Sequence, residues 1–271
     1  MDSHLAGAQA PRPFTVDHDG VTIAAARGGA GRPLVLCPGL NATQADLAEL
    51  AGALRRHVDL VTFDLRGHGR SSAAADYSVA AFGRDLAAVL AAAGPMATAP
   101  VLVGYSMGAD LAVRHAAEHP GAVAGLVLLD GANPVPEPVV TEPVAALLRA
   151  AWTELAVRQA GRDRAHRVVL TAEEILDLNV EIDGVRATIL DRYRRIDVPV
   201  SMIMSTAMAG DAADDHVARL NENWRAGVGR LVRERPGVDL HWVEADHGLV
   251  FSHPAEIVRI MLGTPAVGST G

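Results

Sequence analysis

The chain has 271 residues, enough for one large α/β domain or two small ones, and 49% of them are hydrophobic, ample for a sizeable core. Aromatic residues make up only 4%, so aliphatic side chains and alanine must fill that core, and the cationic side chains are all Arg, with no Lys. The net charge of −8 argues against nucleic acid and anionic membrane as partners, and the single cysteine, Cys37, excludes an internal disulfide and a multi-cysteine zinc site.

The first stretch, MDSHLAGAQAPRP, carries an acid where a secretion signal would be basic, and it has no long apolar run. No segment near twenty residues is apolar without a charge or breaker. The expectation is a cytoplasmic protein without a membrane span. The ends, 1–12 and 263–271, read as flexible. PFTVDH and VTIAAAR form a hairpin about Asp19-Gly20. PLVLCPG is a buried strand ending at Cys37, and TQADLAELAGALRR is helical, with Asn41 or Thr43 as its cap. HVDLVTFDLRGHGRS is a strand running into a Gly-rich loop, and VAAFGRDLAAVLAAAG a helix closed by Gly94 and Pro95. PVLVGYS is a strand, MGADLAVRHAAEHP a helix and VAGLVLLDG a strand; VPVSMIMS and VDLHWVEA are the last two strands. Near-continuous apolar strands alternating with helices predict an α/β fold with a mostly parallel, eight-stranded, doubly wound sheet covered on both faces.

The alternation breaks once. Between Gly131 and Arg195 no core strand is visible; NPVPEPVVTEP leads into helical stretches such as VAALLRAAWTELAVRQ and DGVRATILDRYRRI. This is too long for a connecting loop. It predicts a small helical cap, 132–195, inserted after the sixth strand, over the C-terminal edge of the sheet. Its nine Arg are matched by a similar number of acids and read as a solvated face, with a site for a substrate phosphate or carboxylate as the competing reading.

Gly104-Tyr105-Ser106-Met107-Gly108 stands between an apolar strand and an Ala-rich helix. A sharp strand-to-helix turn needs small residues two before and two after the serine so that backbones can pass. The serine is then exposed at a helix N-terminus, where free N–H groups favour developing negative charge. The five-residue pattern is weak evidence alone; its strand–turn–helix setting is what points to a nucleophile. A serine alcohol needs a base. His247, in VEADHGLVFSHP, follows the last strand on a Gly-flanked loop, on the edge where α/β sheets hold their sites. His253 precedes Pro254 and fits a helix start; His68, in RGHGRS, lies on a loop of the same edge.

From about residue 14 to 262 the chain resembles the α/β-hydrolase superfamily. LCPGLN resembles that family's oxyanion loop, FDLRGHGRS its loop after the fourth strand, GYSMGA its nucleophile elbow, the long insertion its cap and DHGLVFSHP its histidine loop. Each match is modest, but together they occur in the family's order. The resemblance implies a core of 13–131 and 196–262, Ser106 as nucleophile, His247 as base, and an oxyanion hole from the backbone N–H groups of Leu40 and Met107. The CPG sequence departs from the His-Gly of many relatives, which a hole built from backbone donors tolerates.

The acid stays open between two positions. The family's usual slot after the seventh strand falls near Met208, with no carboxylate; Asp211 serves if that turn is longer. Asp130 ends the sixth strand, where a minority of the family keeps the acid. Asp214 and Asp215 resemble a helix start. Trp152 and Tyr193 are candidate pocket walls in the cap, against core packing as the alternative. Cys37 reads as buried filler, Asp64 and Arg66 as structural, and Met202, Met204 and Met208 as core. The glycines Gly67 and Gly69 lead into no dinucleotide fingerprint. No cofactor and no metal are expected. The implied activity is hydrolysis of an ester, thioester or lactone of a small acyl substrate. Acyl transfer or cyclisation on the same triad, or ligand binding without catalysis, are the alternatives. The sequence leaves the oligomeric state open.

Overall fold

A computed structural model describes residues 10–268. One eight-stranded sheet runs in the order β1-β2-β4-β3-β5-β6-β7-β8. Its strands are β1 (Arg12–His18), β2 (Val21–Gly29), β3 (Pro33–Cys37), β4 (Asp59–Phe63), β5 (Val101–Tyr105), β6 (Gly125–Leu129), β7 (Val200–Ser205) and β8 (Asp239–Val243). β2 is antiparallel to β1 and β4, and every other pairing is parallel. The opening hairpin turns where Asp19 (φ 49°) and Gly20 (φ 73°) both take positive φ, the backbone that matches strand twist.

The five-residue strands β3, β5 and β6 are buried at every position, as a sheet covered on both faces requires. Alternate residues feed two cores. Val35, Phe63, Leu102, Leu128 and Met202 face one, which is closed by α2 (Val79–Ala92), α3 (Met107–Glu118) and α7 (Asp215–Glu234). Leu36, Leu60, Val103, Leu129 and Ile203 face the other, closed by α1 (Ala48–Leu54), α8 (Leu249–Ser252) and α9 (Pro254–Gly263). β3 has β4 on one side and β5 on the other, so the chain reverses direction of growth between β3 and β5. The crevice beyond the C-terminal ends of such a pair is where open α/β sheets bind ligands.

After β6 come α4 (Glu142–Ala160), α5 (Ala172–Ala187) and α6 (Ile189–Tyr193). α4 packs on α5, while α5 and α6 pack on α3. Buried Arg186 of α5 pairs with buried Asp110 of α3 at 2.8 Å, tying the inserted helices to the sheet's own helix layer. The segment between α4 and α5 is also tied down, by Val169 N–H to the Gly67 carbonyl and Gly69 N–H to the Arg167 carbonyl, at 2.9 and 2.7 Å. Among the described residues no helix is long and apolar enough to cross a membrane.

Two expectations are corrected. The first helix starts at Ala48, with Leu47 before it, and neither Asn41 nor Thr43 caps it. Thr43 instead makes a local turn, its N–H and hydroxyl donating to Asp46 and its hydroxyl accepting the Asp46 N–H, so the backbone becomes helical only after that turn closes. The C-terminal stretch is not frayed over 264–268. Thr264 and Ala266 are buried, and the Arg32 guanidinium donates to the Val267 and Gly268 carbonyls. At the other end, Arg12 already belongs to β1, while residues 1–9 and 269–271 lie outside the described residues.

Candidate active site

Ser106 sits between β5 and α3 with φ 52° and ψ −123°, a backbone conformation that L residues rarely adopt. The glycines around it are demanded by contact. A Cβ on Gly104 would stand 2.4 Å from the Gly108 carbonyl oxygen, and one on Gly108 2.2 Å from the Cys37 carbonyl oxygen. A Cβ on Gly131, just after β6, would stand 2.2 Å from the carbonyl oxygen of Ser106. Only side-chain-free positions let β3, β6 and the start of α3 close on this turn.

The Ser106 hydroxyl lies 2.9 Å from His247 Nε2, and His247 Nδ1 lies 2.7 Å from Asp130 Oδ2. A buried carboxylate accepts, so Nδ1 carries the proton and Nε2 is left to accept from the serine hydroxyl. His247 comes from the loop after β8, and its backbone carbonyl accepts from the Tyr105 hydroxyl at 2.9 Å. The Tyr105 ring stacks obliquely on the imidazole with centroids 5.3 Å apart. Burial pushes the Tyr105 phenol well above its ordinary pKa, so it stays a donor.

Asp130 follows β6 with φ 45° and is fully buried. It accepts from Ser205 N–H (2.9 Å), from the Ser205 hydroxyl (2.8 Å) and from the Trp224 indole N–H (2.9 Å). Neither Ser205 nor Trp224 was signalled by any motif; each is an ordinary strand or helix residue by sequence. Asp211 is exposed in the turn after β7, and the imidazole nitrogen it would need is occupied by Asp130.

The loop after β3 lies against the serine, since a Cβ on Gly39 would be 2.9 Å from Ser106 Cβ. Among the described residues the N–H groups of Leu40 and Met107 donate to no protein acceptor. They flank the serine, one from the loop and one from the first turn of α3. Asn41 (φ 66°) follows, and its N–H donates to His68 Nε2 at 3.3 Å. His68 Nδ1 faces the Arg66 carbonyl at 2.8 Å, so this ring is the Nδ1–H tautomer. Asp46 anchors the same loop to the inserted segment through Arg162 (2.6 Å) and His166 (2.9 Å). Burial draws the Asp46 carboxyl upward, but bonds from His166, Arg162 and Thr43 outweigh it and hold the group below its ordinary range.

Burial lowers the His68 pKa to about 4, despite the bond to Arg66, against 6.5 for an ordinary imidazole. The depressed value means that stability from the neutral ring is complete above about pH 6.5 and is lost as pH falls toward 4. Between about pH 7 and pH 5 this group alone should cost roughly 2 kcal/mol. Urea midpoints at both pH values check this. The parent should lose more stability than His68→Gln, and an identical fall in both would remove His68 as the source.

Other candidates fall outside the constellation. Tyr193, open between a pocket wall and core packing, is buried among core side chains, and its hydroxyl donates to the Ala132 carbonyl at 2.8 Å; it packs as core because α6 lies directly on α3. Trp152 of α4 is half-buried against the same core. Cys37 is buried, which pushes its thiol far up, out of the reactive range. Asp64 holds the loops by accepting from Gln44 and Arg70 N–H groups, and Arg66 pairs with buried Asp85 at 2.7 Å. His253 starts α9. Met202 and Met204 are core; Met208 is half-buried, and its carbonyl accepts from His247 N–H. Among the described residues no group of three or more His, Cys, Asp or Glu could hold a metal ion.

The family profile described as alpha/beta hydrolase fold matches residues 32–169. N-formylmaleamate deformylase of Pseudomonas putida is 36% identical over 105 residues, 38% of this chain and 38% of that protein. Lipase LipV of Mycobacterium tuberculosis is 44% identical over 87 residues, 31% of this chain and 32% of its own length. The matched part thus spans less than two fifths of either relative. The crystal structure of E-2-(acetamidomethylene)succinate hydrolase superposes with a TM-score of 0.70 at 20% identity, covering 94% of this chain and 99% of that one, a likeness of fold.

Proposed function

Because the chain belongs to the alpha/beta hydrolase fold family, we propose that it is a serine hydrolase cleaving an ester, thioester or lactone of a small molecule through an acyl-enzyme. The observation that carries this is the unbroken hydrogen-bonded run Ser106–His247–Asp130, at 2.9 and 2.7 Å, at the C-terminal edge of the sheet. Ser106 Oγ attacks the acyl carbon while His247 Nε2 takes its proton. Asp130 holds the Nδ1–H tautomer and stabilises the imidazolium. The oxyanion of the tetrahedral intermediate rests on the Leu40 and Met107 N–H groups, which among the described residues have no internal acceptor to give up. His247 then returns the proton to the leaving alcohol or thiol, and a water deprotonated by the same imidazole hydrolyses the acyl-enzyme.

Of the two relatives that the chain resembles, one is named as a deformylase of N-formylmaleamate and the other as a lipase. The choice of an oxygen or sulfur ester for this chain is ours. Fluorophosphonate labelling of the intact protein tests the serine mechanism, and rates on matched ester, thioester, lactone and amide substrates test the bond class. An amide turned over faster than its matched ester would sink the ester assignment.

In this reading α4 to α6 are the cap and Trp152 its half-buried wall on the substrate side. Trp152→Ala should move the preferred acyl length of 4-nitrophenyl esters or raise KM severalfold, while turnover of 4-nitrophenyl acetate stays within about twofold. Superimposable profiles for parent and variant would take Trp152 out of the pocket.

A further inference from the structure

We infer that Trp224 is a positioning residue for Asp130, an inference that rests on the triad reading above. Asp130 is fully buried, and each of its carboxylate oxygens accepts two bonds. Oδ2 takes the Ser205 hydroxyl and His247 Nδ1–H; Oδ1 takes Ser205 N–H and the Trp224 indole N–H. The torsion that turns a carboxylate about its Cβ–Cγ bond is soft. Ser205 spans both oxygens from the end of β7. Trp224 adds the one donor that arrives from a helix, 94 residues along the chain, and pins Oδ1 so that Oδ2 stays in line with the imidazole.

The indole also touches the base itself. Its ring stands edge-on to the His247 ring, with centroids 6.3 Å apart and planes at 86°. It cannot easily swing away, because Trp224 is buried and its backbone carbonyl accepts from the Asn133 amide at 2.7 Å. The Arg186 guanidinium lies 5.3 Å from the ring centroid and is itself fixed by two-armed bonding to Asp110, Nε and Nη2 both reaching the carboxylate. Asp110 stands one helical turn beyond Ser106. The nucleophile's helix, the inserted α5 and α7 therefore converge on the acid through a single indole. Once the imidazolium forms, a carboxylate free to rotate would no longer hold Nδ1–H in line, so the loss should fall on kcat.

A double-mutant cycle with 4-nitrophenyl acetate tests this. Trp224→Phe keeps an aromatic ring at this position and removes the N–H, along with part of the buried ring volume, and the cycle separates that packing loss from the lost donor. With Asp130 present it should lower kcat about tenfold at a KM within twofold of the parent. With Asp130→Asn already in place, the same change should cost less than about twofold, since the group it acts through is gone. An equal factor in both backgrounds would mean that Trp224 acts through packing alone, and the inference fails while the triad stands. If Asp130→Asn by itself leaves kcat at the parent value, the triad reading fails first and takes the inference with it. Should Trp224→Phe not fold, benzothienylalanine at position 224 in a Trp152→Phe/Trp242→Phe background keeps the ring size without the N–H. The same loss of kcat relative to that background is then required.

Discussion

Ser106→Ala is expected to abolish fluorophosphonate labelling and to lower kcat on an activated ester by ~10⁴-fold or more, with the melting temperature close to the parent's. The loss is large because, in the proposed mechanism, Ser106 supplies the covalent handle; with it gone, binding and the proposed oxyanion donors remain. The fold should survive because the substitution keeps Cβ. The contacts that shape the turn are made by backbone and Cβ: the Gly39 approach, the Gly131 approach, and the Ser106 N–H donating to the Leu129 carbonyl at 2.9 Å. Alanine inherits the same φ of 52°, and so the same backbone strain, without new clashes. Steady-state kinetics beside a thermal melt decide it. A folded Ser106→Ala protein turning over at the parent rate would end the serine mechanism.

Asp130→Asn should lower kcat at least about a hundredfold, and a wrong-tautomer histidine allows up to about 10⁴. An asparagine here can leave its Oδ1 accepting from Ser205 N–H and Trp224, so most of the buried site is preserved. Its amide nitrogen then replaces the oxygen that faces His247 Nδ1 at 2.7 Å. A donor in that place forces the imidazole proton onto Nε2, and a protonated Nε2 cannot take the proton of Ser106. Asp211→Asn, at an exposed turn, should change kcat by less than about twofold. The pH–rate profile and kcat of both variants check the pair. The reverse ranking would return the acid to the turn after β7.

Much of this arrangement is local, and locality made it legible. Near-continuous apolar runs bounded by turn residues mark β3 to β7 in the chain itself, and Asp19-Gly20 marks the hairpin of β1 and β2. Gly104 and Gly108 announce a sharp turn because the constraint lies within five residues. His247 stands out because its loop directly follows a strand end. Where the deciding contact joined distant segments, the chain was silent. Thr43 looked like a helix cap, but its bonds close a turn with Asp46 one step earlier. Tyr193 stayed open between pocket wall and core because an aromatic on an inserted helix says which face is apolar and not which neighbour it meets. α6 met α3, and the ring became core.

The sequence by itself determined the alternating α/β pattern, the strained elbow at Ser106 and the two carboxylates from which an acid could be drawn. Choosing between them took the sheet. β6 and β7 pair in parallel with Leu129 beside Ile203, and Asp130 N–H donates to the Ile203 carbonyl at 3.0 Å. That register carries Asp130 to the foot of the β8 loop, next to Ser205, while the following turn runs outward and leaves Asp211 in solvent. Trp224 reaches the acid, and Arg186 reaches the Trp224 ring, only once α7 and α5 have packed against the same helix layer. Spacing along a chain constrains groups a few residues apart. The meeting of a carboxylate, an imidazole and an indole drawn from three separate elements depends on strand register and helix packing, which form only when the core is buried.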